Sequence, residues 1–266
     1  MGRAWTVPVA GILALAAGCS ADGTGERSGP GLSTSTTTST GRVLGAVETT
    51  TTSPPPSAAA TNPGSVYTSG DVTIPPGDPG LLSVVLVGRP RQSSVPVVMR
   101  NRTGNTFTSL EVTGTARHRQ GALVASGSSH GLVPAVLRPG EWGFGDVYFQ
   151  GPDLPEDATF NLTMTGRRIE GENRFGAADV TVVEVSRAAG SIGGVIAAIV
   201  TNPTDDEVRG PISAVVMCFA EGRPTSTHQG YADGNTVPPG GTVSLSVDLF
   251  GDQCGAFALG ASGYGF

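Results

Sequence analysis

The chain has 266 residues, 14% of them charged, and 22 acidic against 16 basic side chains give a net charge of −6. Scattered acidity of that size favours solubility and argues against nucleic-acid binding, which needs a basic stripe. The 40 Gly and 20 Pro residues point to many turns between short elements.

At the N-terminus one charge, Arg3, precedes an uncharged, mostly apolar run that ends in Leu15-Ala16-Ala17-Gly18-Cys19. A positive start, an apolar middle and small residues at the end form a secretory signal. The run is too short to span a bilayer, which takes roughly 20 apolar residues, and Pro8 lies inside it. A cysteine directly after the small residues resembles a bacterial lipoprotein signal, with Ala16 where leucine is usual. The resemblance implies cleavage between Gly18 and Cys19 and diacylation (palmitate-type) of the Cys19 thiol. Acyl chains contribute about 0.8 kcal/mol per buried methylene, and two of them hold a protein stably. The expected location is therefore the outer, extracytoplasmic face of the cell membrane, with the membrane as partner through the acyl chains on Cys19.

Residues 20–70 are low-complexity. Twenty-one of them are Ser or Thr, with runs at 36–38 and 49–52 and three prolines at 54–56. Such a segment buries too little apolar surface to offset its ordering entropy, so a disordered tether is expected. A flexible coil of this length spans roughly 40 Å. Thr-rich tethers of actinobacterial lipoproteins resemble substrates for O-mannosylation, and a plain solvated tether is the other reading.

From about residue 80 the texture changes. Leu81–Val87, Val95–Arg100, Leu110–Ala116, Val180–Val185, Val195–Thr201, Ile212–Phe219 and Val243–Leu249 are short β-rich runs between turn residues. Many such runs predict an all-β sandwich or barrel. The pattern also repeats. Asn101-Arg102-Thr103 aligns with Asn202-Pro203-Thr204 and Gly121 with Gly222, each at an offset of 101. Leu137-Arg138-Pro139-Gly140 aligns with Val237-Pro238-Pro239-Gly240 at 100, and Leu162–Gly166 with Leu259–Gly263 at 97. Two copies of one domain are expected, with a border near Arg174–Ala178. After each Pro-Gly turn a strand follows. In the second copy Val243, Leu245, Val247 and Leu249 alternate cleanly. In the first, Trp142 and Phe144 share one parity while Val147 and Phe149 have the other, which predicts a β-bulge at Gly145-Asp146.

These features resemble the bacterial immunoglobulin-like domains of the FxLYD type, found in exported lipoproteins. The shared features are a strand ending in Asn and a polar turn, a strand with a Gly turn (Gln120-Gly121, Glu221-Gly222), the Pro-Gly turn and an alternating strand. At the motif that names the family the chain carries Gly114–His118 and Val215–Phe219. The resemblance covers residues 81–266 and implies a structural or binding module. Arginine in place of every lysine is a coding bias of GC-rich genomes, so an actinobacterial source is expected.

With Cys19 assigned to lipid, Cys218 and Cys254 remain. An even pair in an oxidising compartment reads as one disulfide, whose 36-residue loop is worth roughly 4 kcal/mol. In the first copy Arg117 takes the place of Cys218.

The search for chemistry returns little. His118 sits between Arg117 and Arg119, and His130 and His228 lie in Ser/Gly/Thr-rich stretches, so each reads as a surface histidine. No nucleophile elbow or clustered His/Cys set is present. Asp205-Asp206-Glu207 reads as a solvated turn. Glu141 and Asp146 beside Trp142 raise a carbohydrate site, against which the position after the Pro-Gly turn favours core packing.

The expected organisation is a signal peptide over 1–18, a lipidated N-terminus and disordered linker over 19–70, and immunoglobulin-like β-sandwiches over 71–177 and 178–266. The expected function is a lipid-anchored cell-envelope protein serving as a non-enzymatic interaction or scaffold module for an envelope protein or glycan. No cofactor, metal or nucleic acid is expected. The rival reading is a ligand-binding accessory to an envelope transporter or polysaccharide-processing machine.

Overall fold

A computed structural model describes residues 65–170, 176–190 and 193–265, all within one compact unit, Pro55–Phe266. The signal segment, Cys19, the tether up to residue 64 and Arg174 lie outside the described residues.

The described chain is all-β. β1 (Val66–Ser69) comes first. A first series follows: β2 (Leu82–Val87), β3 (Ser94–Asn101), β4 (Phe107–Arg117), β5 (Leu123–Val133), β6 (Trp142–Gln150) and β7 (Thr159–Arg168). β8 (Gly176–Asp179) leads into the second series: β9 (Thr181–Gly190), β10 (Gly193–Thr201), β11 (Val208–Ala220), β12 (Arg223–Tyr231), β13 (Thr236–Val237), β14 (Thr242–Asp248) and β15 (Ala256–Gly265). The seven runs read from sequence fall on β2, β3, β4, β9, β10, β11 and β14, where β-branched residues suit a half-buried pleat.

The two series repeat one topology. The first forms a single sheet in the order β2-β3-β6-β5-β4-β7. It curls until β2 returns beside β7, enclosing Val95, Val97, Val112, Val147 and Phe149. In the second series the corresponding order is split. β9-β10-β14 form one sheet and β12-β11-β15 belong to another, bridged where Ala232 meets Leu245. Between these two sheets lie Ile196, Val200, Val216, Leu245, Val247 and Leu259.

The repeat extends to single hydrogen bonds. Asn101 is fully buried; its Nδ2 donates to the carbonyls of Asn105 at 2.7 Å and Leu137 at 3.0 Å. Its Oδ1 accepts from the Thr103 amide and hydroxyl. Asn202 makes the same four bonds, to Asp206 and Val237 and from Thr204. The Pro-Gly turns are equivalent too: the Gly140 amide donates to Asn101 and the Gly240 amide to Asn202. One alignment shifts. Leu162 lies opposite Gly114 and Gly260 opposite Val215, an offset of 98 rather than 97.

Three further sequence readings change. The expected linker runs to residue 70, yet Val66–Ser69 is β1, paired antiparallel to β15. Its two apolar residues bury on opposite faces, Val66 among the side chains of the first series and Tyr67 toward the core of the second. The expected border at 177/178 falls within β8, which pairs with the remaining outer edge of β15. Finally, β6 has no bulge: its register with β3 is continuous from Trp142 to Tyr148. Both parities of β6 are apolar because both of its faces are covered. The irregularity lies on β5, between His130 and Val133.

Candidate functional site

The middle of the central sheet, β1-β15-β11-β12, is buried on both faces. On β11, Val216 and Cys218 point to the second-copy core, while Val215, Met217 and Phe219 point the other way. The latter, with Ala258, meet Val98, Val133 and Phe144 from the first series. This packing explains the unbroken apolar run on β11. A strand covered on both faces loses the alternation of a half-exposed one. Gly260 allows a close approach within this core, since a Cβ there would lie 2.9 Å from Val133 Cγ2.

Polar groups ring this junction. Asp146 on β6 is only 8% exposed and accepts a hydrogen bond from the Thr227 hydroxyl on β12. Burial pushes its carboxyl up to about 6, against the opposing pull of Arg91. Burial also raises the neighbouring Tyr148 phenol, and the Asp146 charge adds to this. Asp252 lies in the turn after β14. Its Oδ2 accepts from Arg91 Nη1 at 2.7 Å and lies 3.0 Å from His228 Nε2. Partial burial pushes the Asp252 carboxyl up. Hydrogen bonds from Ser226 and Arg91, with the charges of Arg91 and His228, outweigh it and hold the group below its ordinary value. Burial lowers the His228 imidazole although Asp252 supports its charged form. A recess of about 360 Å³ beside this cluster is lined by His130, Asp146, Tyr148, Thr227 and His228, among others.

The residues singled out in the sequence are distributed as follows. Cys19 lies outside the described residues. Cys218 and Cys254 form a disulfide with Cα atoms 5.0 Å apart, and both are buried in the second-copy core. His118 is exposed past the end of β4. His130 faces Asp146 across the β5–β6 pair. His228 is not the plain surface residue expected, since its side chain is 8% exposed. Trp142 packs on the junction core, 5.9 Å from the Phe144 ring. Among the described residues no three His, Cys, Asp or Glu side chains gather as a metal site would require. Sequence reasoning missed Arg91 and Asp252, which are 161 positions apart. One signal was present for Asp146: it is the only charge in Trp-Gly-Phe-Gly-Asp-Val-Tyr-Phe, and a lone acid in an aromatic strand needs a buried partner.

Fold and junction together define an all-β protein built from two copies of one topology, locked through a shared core and a polar rim. Comparison with known proteins finds no family model that matches the chain and no matching curated protein.

Proposed function

We propose that this chain is a lipid-anchored protein of the bacterial cell envelope whose folded part serves as a non-enzymatic interaction or scaffold module. One observation carries the reading. Polar groups at the junction pair across the two copies: the Thr227 hydroxyl donates to Asp146, and Arg91 pairs with Asp252, which also lies 3.0 Å from His228 within the second copy. Such pairing suits the fixing of one copy against the other, as a display module requires. The Leu15–Cys19 signature supplies the anchor, and the Ser/Thr-rich segment supplies the reach from the outer face of the membrane. The tandem immunoglobulin-like resemblance and the actinobacterial source belong to this same reading. The rival, a ligand-binding accessory to an envelope transporter or polysaccharide machine, draws support from a cleft at the open end of the junction.

Membrane fractionation and intact mass test the proposal. The native protein should partition with membranes and carry an acylated Cys19, and Cys19→Ser should release it or leave it unprocessed. A soluble native protein with a free Cys19 thiol would overturn the proposal.

A further inference from the structure

The face that the central sheet turns toward the first copy changes character along its length. Strand register sets its rows. Thr227, Met217 and Ala258 form one row, then Gln229, Val215 and Gly260, then Tyr231, Ser213 and Ser262. Met217, Ala258 and Val215 are sealed beneath Phe144 and Val133. Beyond them the sheets part, leaving a cleft of about 470 Å³, within the range of small-ligand sites of about 300–1,000 Å³. At this end the face turns polar and aromatic. Tyr231 is 56% exposed and Tyr264 is 48% exposed, and the Ser213 and Ser262 hydroxyls lie 3.4 Å apart.

We infer that this open end of the junction binds an uncharged oligosaccharide, with Tyr231 and Tyr264 as stacking faces and Ser213, Ser262 and Gln229 as hydrogen-bonding partners. The inference rests on reading the chain as a binding module and adds the ligand class and its site.

Three observations converge on it. The first is neutrality. Among the described residues that line the cleft, none carries a charge. An anionic polymer or a peptide terminus would therefore find no counter-charge, and its desolvation would go uncompensated. The second is the donor set. Each serine offers one O–H and two acceptor lone pairs, and glutamine offers two donors and an acceptor, which suits a ligand dense in hydroxyls. A purely apolar ligand would strip water from these groups without replacing it. Tyrosine presents an apolar ring face with a polar tip, matching the C–H face and hydroxyl rim of a sugar. The third is backbone irregularity. Register shifts occur between Thr108 and Glu111 on β4, between His130 and Val133 on β5, and between Arg209 and Ser213 on β11. All three border this one cleft. Ser109 takes φ +49°, and Gly131 takes +64°. Bulges re-aim side chains and are frequent beside binding sites, and a left-handed non-glycine residue marks strain held by its surroundings.

The test uses the full mature protein and four uncharged probes: mannohexaose, maltohexaose, cellohexaose and galactohexaose, with hexagalacturonate as the charged control. Calorimetric titration should detect at least one uncharged hexasaccharide. Tyr231→Ala and Tyr264→Ala should each weaken that binding by about tenfold or more. Exposed Leu123→Ala, on the far β4–β5 hairpin, should leave it unchanged. Tyr231→Phe and Tyr264→Phe keep the ring and should retain most of the affinity, which separates lost stacking from lost folding. The inference is overturned if no uncharged probe binds at about 10 mM, if the tyrosine-to-alanine variants bind as the native chain does, or if hexagalacturonate binds as tightly. A photocrosslinker at Gln229 that captures a protein in cells would also overturn the glycan, yet leave the interaction-module reading standing. That reading fails separately, by membrane fractionation.

Discussion

Asp146 carries the clearest pH signature in the molecule. Its carboxyl titrates near 6 when folded, against an ordinary value of 3.8. The folded chain therefore keeps a proton that the unfolded chain releases between pH 4 and 6. The stability that the neutral, buried carboxyl contributes is fully present below about pH 4 and is lost as pH rises through 6, by up to about 3 kcal/mol. His228 acts in the opposite sense. Its folded value is depressed, so stability falls as pH drops below its ordinary value of 6.5. Asp146→Asn isolates the first effect, because it keeps a neutral partner for Thr227. In urea titrations the variant should be more stable than the native protein at pH 7.5 and should lack the decline between pH 4 and 6.5. An unchanged pH profile would show that Asp146 ionises freely in the folded state. At this same scale Asn101 and Asn202 show how far single residues could be read. The repeated Asn-x-Thr turn was legible because the side chain bonds to its own neighbours. The longer bonds, to Leu137 and Val237, depend on where the Pro-Gly turn returns, which no local pattern encodes.

Among the elements, β11 and β15 form the spine of the second copy, and the disulfide joins them at one end. Cys218 lies on β11, and Cys254 lies two residues before β15, closing a 36-residue loop. Constraint of the unfolded chain by such a loop amounts to about 4 kcal/mol. Reduction, or Cys218→Ala with Cys254→Ala, should lower the melting temperature, with hydrogen exchange rising first in β11, β14 and β15. Equal loss of protection in β4 and β7 would show that the copies unfold as one cooperative body. Strand identity was legible wherever Val, Ile and Thr dominate, as in β3, β10 and β14. It was poorly legible in β5, which reads Leu-Val-Ala-Ser-Gly-Ser-Ser-His-Gly-Leu-Val. There the glycines answer to neighbours rather than to strand propensity: a Cβ on Gly127 would lie 2.5 Å from the Tyr148 carbonyl oxygen. The split between β12 and β14, against the continuous β5–β6 pair, is likewise a matter of tertiary packing. So is the polar rim of the junction, whose members lie in different copies and carry no common motif.

For the whole molecule, the outer edge of β15 is closed by two short segments from outside the six-strand repeat. β1 covers Phe257–Gly260, and β8 covers Ser262–Gly265. An open edge at that position would invite pairing with another chain. Deleting residues 65–70 should therefore lower the thermal midpoint and promote concentration-dependent self-association, measurable by analytical ultracentrifugation. A deleted chain that stays monomeric with native stability would reduce β1 to an ornament on the fold. β1 has a second consequence, one of timing. It is the first described strand and β15 is the last, and a polypeptide is made from its N-terminus. Val66–Ser69 thus exists long before the segment it must pair with, and closing so long a loop is entropically costly and slow. The β1–β15 pairing is therefore made only after Ala256–Gly265 has been synthesised, and a chain terminated before Ala256 leaves β1 without that partner.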